Sequence, residues 1–196
     1  MLLAVPANAA EPPKPQVIDL SALLAQLDGT PAKCEPRFKL ERFDEPTANG
    51  LKAALRACKD APEFTIEINS GGGELPAEFE MELAMEAYKG KMTCAVDGAA
   101  YSAALIFLQA CPVRIMTVRS MLMAHEVQAS GRGINPVELE NWASALRAMN
   151  SRQALMVAKR SGKISAKQYL KMISGAHERY FAADEALSLN LIDSIR

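Results

Sequence analysis

Apolar and polar residues alternate along short stretches of the chain, and longer stretches with helical spacing separate them. In residues 63–69, Phe64, Ile66 and Ile68 alternate with polar residues, which is the two-residue period of a strand. Three glycines, 71–73, follow almost at once. Because glycine weakens a strand interior, we expect the strand to end there and to leave bare backbone that another group can approach closely.

The same patterns predict strands and helices in alternation from Cys34 onward. The other strands are predicted in residues 37–43, 91–96, 113–118 and 120–127. Helices are predicted in residues 45–58, 76–90 and 101–111, from Pro136 to about Ser161, from Ser165, and at the start of 183–195, which ends in a short strand. Residues 97–100 are predicted to form a turn, and residues 17–27 are compatible with a short helix. This alternation is typical of an α/β fold with a largely parallel sheet.

The helix predicted at 136–161 has unusually clear start signals. Asn135 is a good N-cap, Pro136 suits the first turn, and Glu138 occupies the capping-box position. Its apolar residues do not form one narrow stripe: they include Trp142, Leu146, Met149, Leu155, Met156 and Val157. A projecting helix with surplus apolar surface suggests contacts between subunits, and hence a homo-oligomer.

Composition restricts the possible classes of protein. The chain has 196 residues, of which 49% are hydrophobic and 23% charged, as expected for one globular domain with a full-sized core. The net charge of −1 gives no electrostatic support for a nucleic-acid partner. With two histidines and no metal-type Cys/His spacing, we predict neither a metal site nor a cofactor. No apolar run has membrane-spanning length.

The N-terminal segment "MLLAVPANAAEPPKPQ" combines a short apolar stretch, small residues and a proline-rich continuation. This order is typical of the end of a secretory signal, although the basic region is missing. We therefore treat residues 1–16 as a signal-like or disordered tail and residues 17–196 as a single domain. Export, for example to a periplasm, is the expected localisation; a cytoplasmic protein with a disordered tail is the alternative.

The four cysteines bear on the compartment. Cys34 opens a predicted strand and Cys58 ends the following helix, and Cys94 and Cys111 repeat this arrangement. A strand start and the end of the next helix lie at the same edge of a parallel sheet, so both pairs could form disulfides if their Cβ atoms face each other. Two bridges would suit an oxidising compartment. Four free buried thiols, acting as small apolar residues, are the equal alternative.

Candidate chemistry centres on Ser102, which lies between the turn at Gly98 and an alanine-rich helix. A serine nucleophile needs a base, and His125, at the end of a predicted strand, is the best candidate. Strand ends of a parallel sheet gather at one edge, so Gly73, Ser102 and His125 are expected there together. The glycine run could then donate backbone amides to a developing oxyanion. The alternative is a packing serine and a structural histidine.

These residues resemble a known family, the Clp protease proteolytic subunit and its relatives with the ClpP/crotonase fold. "INSGGGE" resembles the family's Ile-Asn-Ser-Pro-Gly-Gly, "GAAYSAA" its Gly-x-Ala-x-Ser segment, and "RSMLMAHE" its strand ending in histidine. "FAADEALSLNLIDSI" resembles the closing segment, and residues 136–161 correspond to the family's long helix. The resemblance covers residues 34–196. It implies repeated β-β-α and βα units with a projecting long helix.

The resemblance implies roles for particular residues. Ser102 would be the nucleophile, His125 the general base, and Glu178 the acid of the triad, although the family usually has aspartate there. The amides of Gly73 and Ala103 would form the oxyanion hole, with Gly71, Gly72 and Gly98 as supporting glycines. Gly71 replaces the family's proline, and Asn190 replaces a glycine, where asparagine tolerates the same left-handed backbone.

The predicted function is therefore a Clp-like serine peptidase that acts on peptides or unfolded protein segments. The resemblance implies a ring-shaped homo-oligomer assembled through the 136–161 helix. A non-catalytic assembly protein that retains the fold is one alternative. A crotonase-like acyl-CoA enzyme is the other, and it is disfavoured because the sequence has no evident basic cluster for a nucleotide phosphate. The sequence leaves open the cleavage specificity, the ring size and any ATP-driven partner.

Overall fold

The computed structural model describes residues 33–129, 135–175 and 177–196. The predicted tail at 1–16 and the short helix considered at 17–27 lie outside the described residues. No helix among the described residues is long and apolar enough to cross a membrane.

Strands and helices alternate along the described chain. The strands are β1 (Arg37–Leu40), β2 (Glu63–Ser70), β3 (Lys91–Tyr101), β4 (Val113–Met116), β5 (Met121–Ala124), β6 (Arg179–Ala182) and β7 (Ser194–Ile195). The helices are α1 (Glu45–Ala57), α2 (Leu75–Ala87), α3 (Ala103–Ala110), α4 (Pro136–Ser161), α5 (Ala166–Ile173) and α6 (Ala183–Ser188).

The described strands form one seven-stranded sheet in the order β1-β2-β3-β4-β7. β5 pairs with β3 beside this series, and β6 pairs with β5. Every pairing is parallel except the antiparallel pair β5–β6. The prediction of an α/β fold with a largely parallel sheet is confirmed.

Strand β3 changes partner along its length. Residues Thr93–Val96 pair with β4, whereas Ala99–Tyr101 pair with β5. Gly98 lies between the two parts with a φ of 121°, so the predicted turn at 97–100 is wrong and those residues continue the strand. The backbone at Gly98 also passes close to Asn69, because a Cβ on Gly98 would lie 2.3 Å from the Asn69 Oδ1. Glycine and alanine at 98–100 are also common in turns, which explains the wrong prediction. Here the missing side chain of Gly98 instead allows the close approach to Asn69.

The core lies between the sheet and the helices. Helix α3 is buried from Ala103 to Gln109 and is apolar on nearly all sides, as expected of a central helix. The strands contribute alternate residues, so that Phe64, Ile66 and Ile68 of β2 are each no more than 1% exposed. The period read from residues 63–69 therefore identified the buried face of β2.

Capping boxes mark the starts of two helices, α4 and α5. Asn135 and Glu138 form the predicted capping box of α4, which begins at Pro136 and ends at Ser161 as predicted. Ser165 and Gln168 form the same motif at α5. The buried residues of α4 begin only at Gln153, so the part of the helix before it has no buried residue.

Other boundaries differ from the predictions. β1 ends at Leu40, and Phe43 instead forms an isolated bridge with Gly73. Helix α2 ends at Ala87, before Gly90. Strand β6 was not predicted at all. It is a four-residue strand with a single fully buried residue, Phe181, and so has little hydrophobic periodicity of its own.

The structure joins the cysteines in two disulfides. Cys34 is bonded to Cys58, beyond the end of α1, and Cys94 in β3 is bonded to Cys111, just after α3. These are the pairs that the positions of strand starts and helix ends suggested. The second bridge connects the two elements that flank Ser102.

Candidate active site

Ser102 occupies a sharp turn between β3 and α3. Its backbone has φ 57° and ψ −123°, a conformation that costs a non-glycine residue free energy and is found mainly at functional sites. The Ser102 N–H donates to the Met123 carbonyl at 2.8 Å, which fixes the turn against β5. A serine on a strained strand-to-helix turn projects its hydroxyl from the end of the sheet.

His125 follows directly after β5, which lies beside the last part of β3. In the parallel register Tyr101 is opposite Met123, so Ser102 and the residues after β5 emerge at the same edge. The His125 Nε2 lies 2.7 Å from the Ser102 Oγ, within hydrogen-bond distance. The structure thus brings together the two residues that the sequence selected as nucleophile and base.

The other imidazole nitrogen of His125 has no such contact. Nδ1 is buried and has no hydrogen-bond partner among the described residues. Glu178 is exposed, and its Oε2 accepts a hydrogen bond from the Tyr180 hydroxyl at 2.6 Å. That bond is also the main reason why the pKa of Tyr180 is raised. The predicted third member of the triad is therefore not bound to the imidazole, and its catalytic role stays a prediction.

Glu178 and His125 each lie one residue beyond the last antiparallel pair of β5 and β6, which is Ala124–Arg179. If the pairing continued by one step, their Cβ atoms would be about 5 Å apart on one face of the sheet. A rotation of the Glu178 side chain away from Tyr180 would then bring its carboxylate toward Nδ1.

The glycine loop after β2 packs against the turn that carries Ser102. A Cβ on Gly72 would lie 2.8 Å from the Ser102 Cβ, so only glycine fits there. The Gly72 carbonyl accepts from the Phe43 N–H at 3.2 Å. Because the C=O and N–H of a trans peptide point in opposite directions, the Gly73 N–H points away from Phe43, toward the β3 side. The glycine run therefore allows two chain segments to meet backbone to backbone, as expected from the sequence.

Ala103 supplies a second amide near the hydroxyl. It is the first residue of α3, and the first N–H groups of a helix have no partner within the helix. The positive end of the helix dipole also favours negative charge at this position.

The remaining predicted glycines differ in what they contribute. A Cβ on Gly71 would meet nothing within 4 Å, so crowding does not explain this glycine. Gly98 supports the site at greater distance, because its N–H donates to the Ser120 Oγ at 2.9 Å while the Ala99 N–H donates to the Asn69 Oδ1 at 3.0 Å. Sequence reasoning missed Asn69 and Ser120; Asn69 stands within the glycine motif itself, two residues before Gly71.

A mostly apolar groove of about 590 Å³ adjoins the glycine loop. The loop and the start of α2 form one wall, the segment after His125 forms another, and α4 forms the third. The lining residues are Gly73, Glu74, Leu75, Pro76, Val127, Gln128, Ala129, Trp142, Ala145, Leu146 and Met149.

His177, the second histidine, is exposed in the loop before β6. Within the described residues, no group of three or more His, Cys, Asp or Glu side chains could hold a metal ion.

The comparison with protein families identifies the class. The family model described as Clp protease matches residues 41–196, and the chain therefore belongs to the Clp protease family. This match confirms the resemblance read from the four motifs, and membership assigns the chain to the ClpP-like peptidases as a class. No curated protein matches the chain at a significant level of similarity.

Proposed function

We propose that this chain is a serine peptidase in which Ser102 is the nucleophile and His125 the general base. The observation that carries the proposal is the 2.7 Å contact between the Ser102 Oγ and the His125 Nε2 at a strained turn. A serine hydroxyl is a weak nucleophile until an adjacent base takes its proton, and this contact supplies the base. Membership in the Clp protease family supports the same chemistry.

The proposed reaction has two halves. The Ser102 Oγ attacks a peptide carbonyl while its proton passes to the His125 Nε2, and the N–H groups of Gly73 and Ala103 stabilise the oxyanion. The C–N bond then breaks, and the imidazolium returns the proton to the leaving amine. Water attacks the resulting acyl-enzyme by the same route, releasing the acid and restoring the hydroxyl. In this scheme Glu178 would turn from Tyr180 and orient His125 through Nδ1.

The groove supports a peptide or unfolded segment as the substrate. Its walls are largely apolar, so an extended chain with apolar side chains fits it better than a folded domain or a charged ligand. The exposed apolar residues Val137 and Leu139 near the start of α4 favour a homo-oligomer built through residues 136–161. Two disulfides favour an oxidising compartment, in line with export.

A fluorophosphonate probe, which labels activated serines, tests the proposal. We expect labelling of Ser102 in the folded protein, loss of the label in Ser102→Ala, and strong reduction in His125→Ala. The exposed Ser174 offers a matched control, since Ser174→Ala leaves the proposed site intact. A folded protein that takes up no label, and hydrolyses no unfolded casein in its purified oligomer, would contradict the proposal.

The second candidate is an assembly protein that has the fold without activity. The unpartnered Nδ1 of His125 favours it, because an imidazole that nothing orients is a poorer base. In that case the protein would assemble through α4 and fail to react with the probe.

A further inference from the structure

Arg152, in the C-terminal half of α4, reaches across to α2. Its Nη2 is paired with the Glu82 Oε2, and its Nη1 lies 3.6 Å from the Glu78 Oε2. The guanidinium also lies over the Phe79 ring, 4.1 Å from the ring centroid. All three partners belong to α2. We call Glu78, Phe79, Glu82 and Arg152 the α2–α4 clamp.

The carboxyl groups of the clamp are unusual because they are buried. Glu78 is 0% exposed and Glu82 is 8% exposed. Burial raises the pKa of Glu78, with Glu82 adding to the shift and Arg152 opposing it, so Glu78 is neutral at pH 7. Two buried carboxyl groups thus share one guanidinium, whose own side chain is 35% exposed. Removing the guanidinium would leave the buried carboxyl groups without their partner, so the contact joins these two helices specifically.

The clamp does not line the groove itself, but it lies next to it along both helices. Met149, the last groove residue of α4, lies one turn before Arg152, and Pro76, on the opposite wall, lies two residues before Glu78. Because both walls are helices, the distance between them at the clamp sets the width of the groove beside it. The wall formed by the segment after His125 is connected to the same part of α4, since the Asn150 Oδ1 accepts from the Val127 N–H at 2.8 Å.

No residue of α4 from Pro136 to Arg152 is buried, whereas Gln153, Ala154, Val157 and Ser161 are buried and anchor the next part of the helix. Arg152 and Asn150 lie where these two parts meet, and they add polar connections from α4 to α2 and to the segment after His125.

We propose that Arg152 is a positioning residue that holds α4 against α2 and so keeps the groove at the width that binds an extended apolar peptide beside Ser102. It touches no reacting atom, so its removal weakens peptide binding and leaves the chemistry to Ser102 and His125. The identity of the bound peptide rests on the proposed function. The effect of the clamp on the groove does not, and it can be measured without catalysis.

Trp142 provides the readout, because it is the single tryptophan of the chain and lines the groove. Binding is measured in full-length Ser102→Ala protein by Trp142 fluorescence, with an acetylated tetrapeptide amide of leucine and alanine as the probe. One clamp variant is the triple change Arg152→Met, Glu78→Gln and Glu82→Gln, which leaves no buried charge unpaired. The second is Arg152→Lys, and Arg147→Met, an exposed arginine on the same helix, is the matched control.

We expect the triple variant to bind the peptide about tenfold more weakly, with Trp142 emission shifted to the red before peptide is added, because small displacements in a binding site have large effects. Lysine cannot form the fork or the ring contact of arginine, so Arg152→Lys should bind about threefold more weakly. The Arg147→Met control should match its parent in both measurements.

The inference would be overturned if Arg152→Lys and the folded triple variant both matched the parent in peptide affinity and in Trp142 emission. If the triple variant does not fold, Arg152→Lys decides alone. A parent that binds no peptide contradicts the proposed function, and the emission of the unliganded variants then decides whether the clamp sets the groove. Peptide binding that is insensitive to the clamp contradicts only the inference.

Discussion

Gly72 lies so close to Ser102 that a side chain at this position would collide with the turn. A Cβ would lie 2.8 Å from both the Ser102 Cβ and the Tyr101 carbonyl oxygen, and the φ of +97° disfavours any other residue. We expect Gly72→Ala to lower kcat/KM by roughly a hundredfold, because Ser102 must move relative to His125. The free energy of unfolding should also fall, by about 2 kcal/mol.

The adjacent Gly71 provides the comparison. A Cβ there would meet nothing within 4 Å, and its φ is not in the left-handed region. Gly71→Ala should therefore have a much smaller effect on the same hydrolysis and unfolding measurements. Similar losses in the two variants would mean that the loop acts through its flexibility, and that the close approach of Gly72 to Ser102 is unimportant.

The hydrogen bond from Tyr180 to Glu178 competes with any contact between Glu178 and His125. If Glu178 turns to His125 during turnover, Glu178→Gln should lower kcat about a hundredfold or more, as expected when a triad loses its acid. Tyr180→Phe removes the competing hydrogen bond of 2.6 Å and should maintain or raise kcat. Steady-state hydrolysis of a peptide substrate measures both. An unchanged kcat in Glu178→Gln would show that another group orients the imidazole.

The site residues that the sequence predicted best are those whose position follows from strand ends alone. Ser102 and His125 each follow a strand of the same sheet, so the topology brings them together. Asn190 likewise adopts the left-handed backbone expected of it, with a φ of 53°. The hydrogen bond between Tyr180 and Glu178 could not be predicted, because it depends on the extended backbone at the start of β6, a strand that the sequence did not reveal.

Helices and strands were predicted well where the signal is local in the sequence, and poorly where it depends on non-local pairing. The start of α4 was predicted to the residue because the capping box of Asn135 and Glu138 is a local signal. The second half of β3 was missed because its pairing with β5 is non-local, and its glycine and alanines resemble a turn. The buried carboxyls of α2 gave no signal either, since Glu78 and Glu82 read as exposed residues until Arg152 is placed beside them.

The buried carboxyl group of Glu78, on α2, makes the stability depend on pH. Burial raises the pKa of Glu78 from 4.5 to about 9, so between these values the folded protein holds a proton that the unfolded chain does not. Unfolding releases that proton, and the free energy of unfolding therefore falls as pH rises through this range. Glu78→Gln has no proton to lose and should lack this slope. Its stability relative to the wild type should improve by at least about 1 kcal/mol between pH 5 and pH 8.

Urea unfolding at a series of pH values measures this difference. Glu80→Gln is the matched control, because Glu80 lies on the same helix but is exposed. Parallel pH dependences of the wild type and Glu78→Gln would mean that Glu78 is ionised in the folded protein.

For the molecule as a whole, family and fold were accessible from the sequence because four short motifs occur in the order and spacing of one family. The match over residues 41–196 and the largely parallel sheet agree with that interpretation. The assembly could not be predicted in the same way, because the exposed apolar residues of α4 are compatible with contacts between copies and give no information on how many copies would share them.

The two disulfides connect the stability of the whole chain to its redox state. The bonded residues are 24 and 17 positions apart, and loops of these lengths correspond to about 3 kcal/mol of stabilisation each in the chain-entropy account. We expect dithiothreitol to lower the free energy of unfolding by an amount of this order.

The paired change Cys94→Ala and Cys111→Ala should have a further effect, because this bridge joins β3 to the end of α3 around Ser102. It should reduce fluorophosphonate labelling more than Cys34→Ala with Cys58→Ala does. Urea unfolding and probe labelling of both pairs, with and without reductant, would show whether the bridges form. Variants that unfold at the same urea concentration as the wild type under oxidising conditions would mean that the four thiols are free in solution.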